Sequence, residues 1–285
     1  MPSLLDIRRR IRSVKNTQQL TKAMKTVSAA KLRRAQERVF SARPYAEHLK
    51  RVLGNLTARV ENVAHPLLEI RPEARILFVV VTADRGLCGA FNSNINRTAQ
   101  GFIRDHKDRT VHLITVGRKG RDFFRRRGVP IRSEFVNIFS RLDYGNAKDI
   151  SEAIVQGYTE AEVDAVYIVY NEFKSVIQQR VVVEKVLPLS RAELRETEPQ
   201  PDYIFEQPPQ EIFNRLLPRY VEIQIYRSLL ESAASEHGAR MASMDTASRN
   251  AGDMIDMLTL NMNRIRQAAI TREIIEVVSG AGALS

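Results

Sequence analysis

The chain has 285 residues, 44% hydrophobic and 27% charged, a composition that excludes a disordered tail and suits a folded protein of one or two domains. A single cysteine, Cys88, excludes an internal disulfide framework and a multi-thiolate zinc site, and no apolar run approaches the roughly 18 residues of a membrane span. The net charge of +11 is confined to one end: residues 1–60 carry 15 Lys or Arg against 3 Asp or Glu, while the remainder carries 29 against 30.

A positive field concentrated in this way suits nucleic acid, anionic lipid or an acidic protein surface, and charge alone does not choose among them. The opening residues MPSLLDIRRRIR alternate charge with Leu and Ile and do not read as a signal peptide, so a cytoplasmic protein is expected.

Residues 1–60 carry a 3-4 apolar spacing, Leu4, Ile7, Ile11, Val14, then Gln18, Thr21, Lys25, Ser28, then Leu32, Ala35, Val39, Ala42, Ala46, Leu49, Leu53, Leu56 and Val60. Such a repeat predicts a long coiled-coil helix. Where the seam turns polar, a second stripe, Leu20, Met24 and Val27, implies either a shifted seam or another surface claiming that face. Pro44 is expected to kink or interrupt the helix.

The middle, residues 75–190, reads as an inserted α/β domain. A buried strand at 74–82 ends in the turn DRGLCGAFN, and a helix follows to about His106. A second strand at 110–117 leads into the basic helix of 117–128. A helix from Asn146 to Ala161 precedes a strand at 165–171, and residues 175–189 read as a hairpin-type strand. Alternating strands and helices imply a mainly parallel sheet. Residues 191–208, rich in proline, read as an exposed linker.

From 209 to 285 the 3-4 spacing returns in Leu216, Tyr220, Ile223, Leu230, Ala234, Met241, Met244, Ala251, Ile255, Leu258, Met262, Ile265 and Ala269, with Arg227, His237 and Ser248 as polar members. The two long helices are expected to pair antiparallel, because the domain between them has its ends close together. The second helix then projects beyond the first. Its tip, Ile270, Ile274, Ile275, Val277 and Val278, is apolar on more than one face, so another chain must surround it.

Catalytic signatures are absent: there is no phosphate loop, no H-E-x-x-H and no G-x-S-x-G, and the five histidines are scattered. The best candidate for ligand chemistry is the turn DRGLCGAFN, since glycine turns between strand and helix hold phosphates in α/β folds. It has Gly86 and Gly89 but not the three-glycine fingerprint, and packing of helix on sheet is the favoured reading. No cofactor and no metal are expected.

Three stretches, NTQQLTKAMKTVSAAKLRRAQ (16–36), TADRGLCGAFN (82–92) and ARMASMDTASRNAGDMIDMLTLNMNRIRQAAITREIIEVVSGAGAL (239–284), resemble the three characteristic blocks of the γ subunits of F-type ATP synthases. The resemblance covers the whole chain in order. It implies a long antiparallel coiled coil with a Rossmann-like insert, a non-catalytic central shaft coupling proton-driven rotation of a membrane c ring to ATP synthesis at α/β sites.

The partners implied are the α and β subunits of the head, the ε subunit and the c ring. By similarity Met24, Lys25, Arg240, Arg266, Gln267 and Thr271 contact the head, Tyr203 and Glu206 lie near the c ring, and the apolar tip turns in a sleeve of the head. The regulatory segment and transit peptide of chloroplast relatives are missing, which implies the cytoplasmic face of a bacterial plasma membrane. A nucleic-acid-binding coiled coil, suggested by the high pI and by Arg125, Arg126 and Arg127, is disfavoured because the basic first helix holds only Phe40 and Tyr45 as aromatic residues.

Overall fold

The computed structural model describes residues 4–59, 65–175, 179–190 and 208–282. The elements run α1 (Leu4–Arg59), a 3-10 turn (Pro66–Leu68), β1 (Arg75–Val81), α2 (Phe91–Asp105), β2 (Thr110–Val116), α3 (Arg118–Arg125), β3 (Ile131–Phe135), a second 3-10 turn (Ile138–Ser140), α4 (Tyr144–Thr159), β4 (Ala165–Phe173), β5 (Gln179–Leu187) and α5 (Pro209–Gly282). They form two compact units, Met1–Ser28 with Met241–Ser285, and Ala29–Arg240.

In the first unit the two helices pair antiparallel. Lys25 Nζ meets Asp245 Oδ1 at 2.6 Å, while Gln18, one helical repeat earlier, donates to the Ser248 carbonyl at 3.3 Å and lies against Gly252. The seam does not shift at its polar stretch: Thr21 and Ser28 are buried, and Leu20 and Val27 are exposed. The second apolar stripe therefore belongs to a surface outside this pair.

The second unit is built on a sheet of order β3-β2-β1-β4-β5, parallel except for β5, which pairs antiparallel with β4. Helices in the crossovers make the first four strands parallel, whereas the short connection from β4 to β5 permits only a hairpin. β1 is the centre of the unit, with Ile76 to Val81 fully buried as expected for a strand covered on both faces. Ile76, Phe78 and Val80 pack with Phe91, Ile95 and Ala99 of α2, with Phe124 of α3 and with Ala239 of α5. Leu77, Val79 and Val81 turn to the opposite face and are equally buried.

Three findings depart from the sequence reading. α1 runs unbroken through Pro44; a proline removes one backbone donor, and packing of Val39 and Leu49 on either side of it holds the helix together. The strand Ile131–Phe135 was not expected; it is a five-residue edge strand whose alternate residues face solvent. Finally, residues 228–236 of α5 are buried on every side although they read SLLESAASE. Serine and alanine there let the helix approach the sheet closely, as in the hydrogen bond from Ser235 Oγ to the Asn171 carbonyl at 3.1 Å.

Candidate functional site

The residues expected to matter fall in two places. Within the first unit, Met24 is half-buried and flanked by the exposed Leu20 and Val27. Lys25 is 46% exposed and engaged with Asp245, which also meets Arg249 at 3.0 Å. A pair this exposed contributes about 0–1 kcal/mol, so the ammonium group can exchange one acidic partner for another at little cost. Farther along α5, Arg266, Gln267 and Thr271 are all exposed, and Thr271 donates to the Gln267 carbonyl, as helical threonines do.

The tip is apolar and open. Ile270, Ile274, Ile275, Val277 and Val278 are 49–71% exposed. Extrapolating the pairing of Gln18 with 248–252, the first residue of α1 lies opposite roughly residue 264 of α5. No described residue of α1 faces the tip.

In the second unit the turn after β1 is pinned from three sides. Asp84 Oδ1 accepts from the backbone N–H of Arg118 at 3.0 Å and of Asn137 at 2.8 Å. Asn92 caps the Ala83 N–H and donates to Cys88 Sγ. From α5, Arg240 donates to the Gly86 carbonyl through Nε (3.3 Å) and Nη2 (3.2 Å), and to the Arg85 carbonyl at 3.5 Å.

Its guanidinium also meets Glu236 Oε1 at 2.6 Å, with side-chain exposures of 10% and 7%. Arg240 was expected to face the head, but its side chain is turned inward. Cys88 and Phe91 are buried under the turn, and burial pushes the Cys88 thiol up, away from the thiolate. Among the turn's apolar side chains Cys88 and Phe91 are buried, whereas Leu87 is 62% exposed, at a φ of 63°. Tyr203 and Glu206 lie outside the described residues.

Beside Arg240, His237 is the accepting partner at Nδ1, because a guanidinium can only donate. Burial, aided by Arg240 and Lys31, lowers its pKa to about 4. Six residues earlier in the same helix, the buried Glu231 has the opposite problem. Its Oε2 has no hydrogen-bond partner among the described residues, and burial pushes the carboxyl up, opposed by Arg227 and Arg43 and reinforced by Glu172 and Glu184.

The two groups give opposite pH dependence. A folded pKa of about 4 for His237, below the unfolded value of about 6.5, stabilises the fold above pH 6.5, and this is lost as pH falls toward 4. For Glu231 the raised folded pKa stabilises below the unfolded value, and this is lost as pH rises through the folded one. His237→Gln should therefore flatten the loss of stability between pH 6.5 and 4 by on the order of 2 kcal/mol. Glu231→Gln should raise the melting temperature more at pH 8 than at pH 5. Urea and thermal unfolding at four pH values measures both, and parallel curves for wild type and His237→Gln would contradict the buried neutral imidazole.

Among the described residues no group of three or more His, Cys, Asp or Glu could hold a metal ion, and no helix is long and apolar enough to cross a membrane. A family model described as ATP synthase matches residues 3–284. The ATP synthase gamma chain of Solibacter usitatus is 55% identical over 287 residues, covering 99% of each chain. The chain belongs to the ATP synthase gamma chain family.

As such it is a non-catalytic subunit of the synthase and part of its central-stalk rotor. Among solved structures, a chain from the Tetrahymena thermophila mitochondrial ATP synthase central stalk and c ring is 28% identical, with a TM-score of 0.61, covering 80% of this chain and 99% of that one. A chain of the Euglena gracilis mitochondrial enzyme shares the fold at a TM-score of 0.70 and 17% identity, covering 99% of this chain and 94% of that one.

The exposed apolar tip could be read from spacing, because its aliphatic residues run past the expected end of the partner helix, whereas the polar residues Lys25, Arg266, Gln267 and Thr271 were named only through the family resemblance. Sequence reasoning missed Glu236, His237 and Leu87. The signal for the first two is the acid-His-x-x-Arg spacing on one helix face; that Leu87 adopts a positive φ has no sequence signal beyond its place between Gly86 and Gly89.

Proposed function

We propose that the chain is the rotating shaft that couples proton-driven rotation of a membrane c ring to ATP synthesis at α/β sites, and runs in reverse during hydrolysis. It stands on the cytoplasmic face of a bacterial plasma membrane, bound through the c ring and assembled with α, β and ε subunits. The observation that carries this reading is the tip. An antiparallel helix pair ends in one projecting helix with five large aliphatic side chains exposed, a surface that needs an apolar sleeve from other chains.

Met24, Lys25, Arg266, Gln267 and Thr271 form the proposed contacts with the head. The two described by loose pairing support this: Met24 borders an apolar stripe that the helix pair does not use, and Lys25 is held only by an exposed ion pair. Contacts of this kind can break and re-form at each rotary step, which a fixed buried bond could not. The domain division 1–60, 75–190, 191–208 and 209–285 is kept as the functional one, with the insert and the linker toward the c ring and Tyr203 and Glu206 as its contacts.

The test is reconstitution. The purified chain should hydrolyse no ATP, and mixing it with matching α and β subunits should give steady hydrolysis with rotation of a probe fixed to the insert. Turnover by the chain alone, abolished by changes within Asp84–Asn92, would overturn the reading.

A further inference from the structure

We infer that the cavity between α1, α4 and α5 is a binding site for a small neutral molecule, a planar ring bearing a carbonyl acceptor. The cavity holds about 280 Å³, and its walls all belong to the compact unit Ala29–Arg240. An apolar cavity of about 150 Å³ already accommodates benzene, so a single ring with a short substituent fits here. The space exists because of what α1 leaves out. Ala42 and Ala46, one turn apart and half-buried, contribute only methyl groups to the α1 side, while Ile223 and Tyr226 line the α5 side.

The aromatic wall is fixed within the chain. The Tyr144 hydroxyl donates to Glu222 Oε2, and the Tyr144 ring meets Tyr226 edge-on, at 5.5 Å between centroids and 76° between planes. The Arg219 guanidinium lies over the same ring at 5.2 Å, and Tyr45 supplies a third ring to the lining. Rings held in this way receive another flat ring by stacking or by edge contact.

Polarity then selects the ligand. Both cations that line the cavity are met by carboxylates of the chain, Arg219 by Glu222 at 3.1 Å and Arg227 by Glu184 at 3.2 Å, so neither calls for an anion. Arg227 reaches Glu184 through Nη2, and its Nε is buried with no hydrogen-bond partner among the described residues. A guanidinium can only donate, and a buried donor without an acceptor is costly. A ring carbonyl supplies that acceptor. An ammonium group, which itself only donates, would instead face two guanidinium groups.

Three single-ring probes test the inference on the full chain: acetophenone, which has a carbonyl, toluene, which has none, and benzylammonium, a cation. Ligand-observed NMR titration and thermal melting read binding, and nuclear Overhauser contacts to the rings of Tyr144 and Tyr226 locate it. Acetophenone should bind roughly tenfold more tightly than toluene, the difference made by one hydrogen bond to a charged donor. It should also raise the melting temperature and show contacts to both tyrosines. Benzylammonium should not bind.

Ala46→Leu, which fills the cavity, should abolish binding while the melting temperature of the free chain stays level or rises. Arg227→Lys keeps a cation for Glu184 but has no Nε–H, and should bring acetophenone down to the affinity of toluene. The inference is overturned by wild-type chain that does not bind acetophenone or binds it no better than toluene, by contacts only at the exposed tip, or by binding that survives Ala46→Leu. Should Ala46→Leu fail to fold, the wild-type comparison and Arg227→Lys decide. The chain is used alone throughout, so a failure of the rotor reading leaves these outcomes unchanged.

Discussion

Gly117→Ala should unfold the inserted domain and abolish assembly, whereas Gly101→Ala should stabilise it. Gly117 ends β2 at a φ of 90° and a ψ of 143°, a region that residues with a side chain avoid. A Cβ there would lie 2.0 Å from the Thr82 carbonyl oxygen and 2.7 Å from its carbon, and both are backbone atoms at the end of the central strand. The close approach has a purpose. Thr82 N–H bonds to the Val116 carbonyl, Gly117 N–H bonds to Phe135, and the Thr82 hydroxyl accepts from Gly120 N–H at the start of α3.

Three strands and a helix therefore meet where only a hydrogen fits. Moving Thr82 away would break that knot, and the expected cost is about 4 kcal/mol or more, a large share of the stability of a domain this size. Gly101 lies inside α2 with nothing within 4 Å of a Cβ, so alanine there gains roughly 0.5–1 kcal/mol of helix propensity. Urea unfolding of the two variants gives the comparison, and a Gly117→Ala chain as stable as wild type would mean that the turn relaxes at no cost.

The long helices, the three central strands and the exposed tip were legible because each is a periodic signal, and periodicity survives without knowledge of partners. What escaped was of another kind. β3 reads IRSEF, too short and too polar on alternate positions to stand out, and it becomes a strand only because β2 offers it an edge. Glu231, Ser232, Ser235 and Glu236 look like a solvent face, yet they are buried because that stretch of α5 has the sheet on one side and α1 on another. Arg240 was named as a contact through the family resemblance alone, and only the folded turn supplies the carbonyls of Arg85 and Gly86 and the Glu236 carboxylate that engage it within the chain. Gly86 and Gly89 drew attention in the sequence, while the glycine with a steric demand is Gly117, which follows a strand with no motif to announce it.

Replacing Ile274, Ile275, Val277 and Val278 together by alanine should leave the free chain as stable as before and weaken the assembled complex. In the free chain these side chains are 57–71% exposed, so truncating them removes little buried surface. Alanine is moreover the better helix former, since β-branched side chains lose rotamer freedom against the preceding turn. The melting temperature of the free chain should be unchanged or slightly higher. Within the head the same side chains are proposed to be covered, and each large aliphatic is worth roughly 1.5–3 kcal/mol when fully removed from water, so the complex should lose several kcal/mol of association.

Torque should survive, because the proposed apolar sleeve would hold the shaft laterally without directional bonds. The groups proposed to transmit force tangentially are the polar ones farther down, Lys25, Arg266 and Gln267. Two measurements separate the outcomes, thermal melting of the chain alone and in complex, and single-molecule rotation under load. Torque falling to near zero in fully assembled complexes would mean that the tip drives rotation, and equal losses of stability in the free chain and the complex would mean that the tip is already covered before assembly.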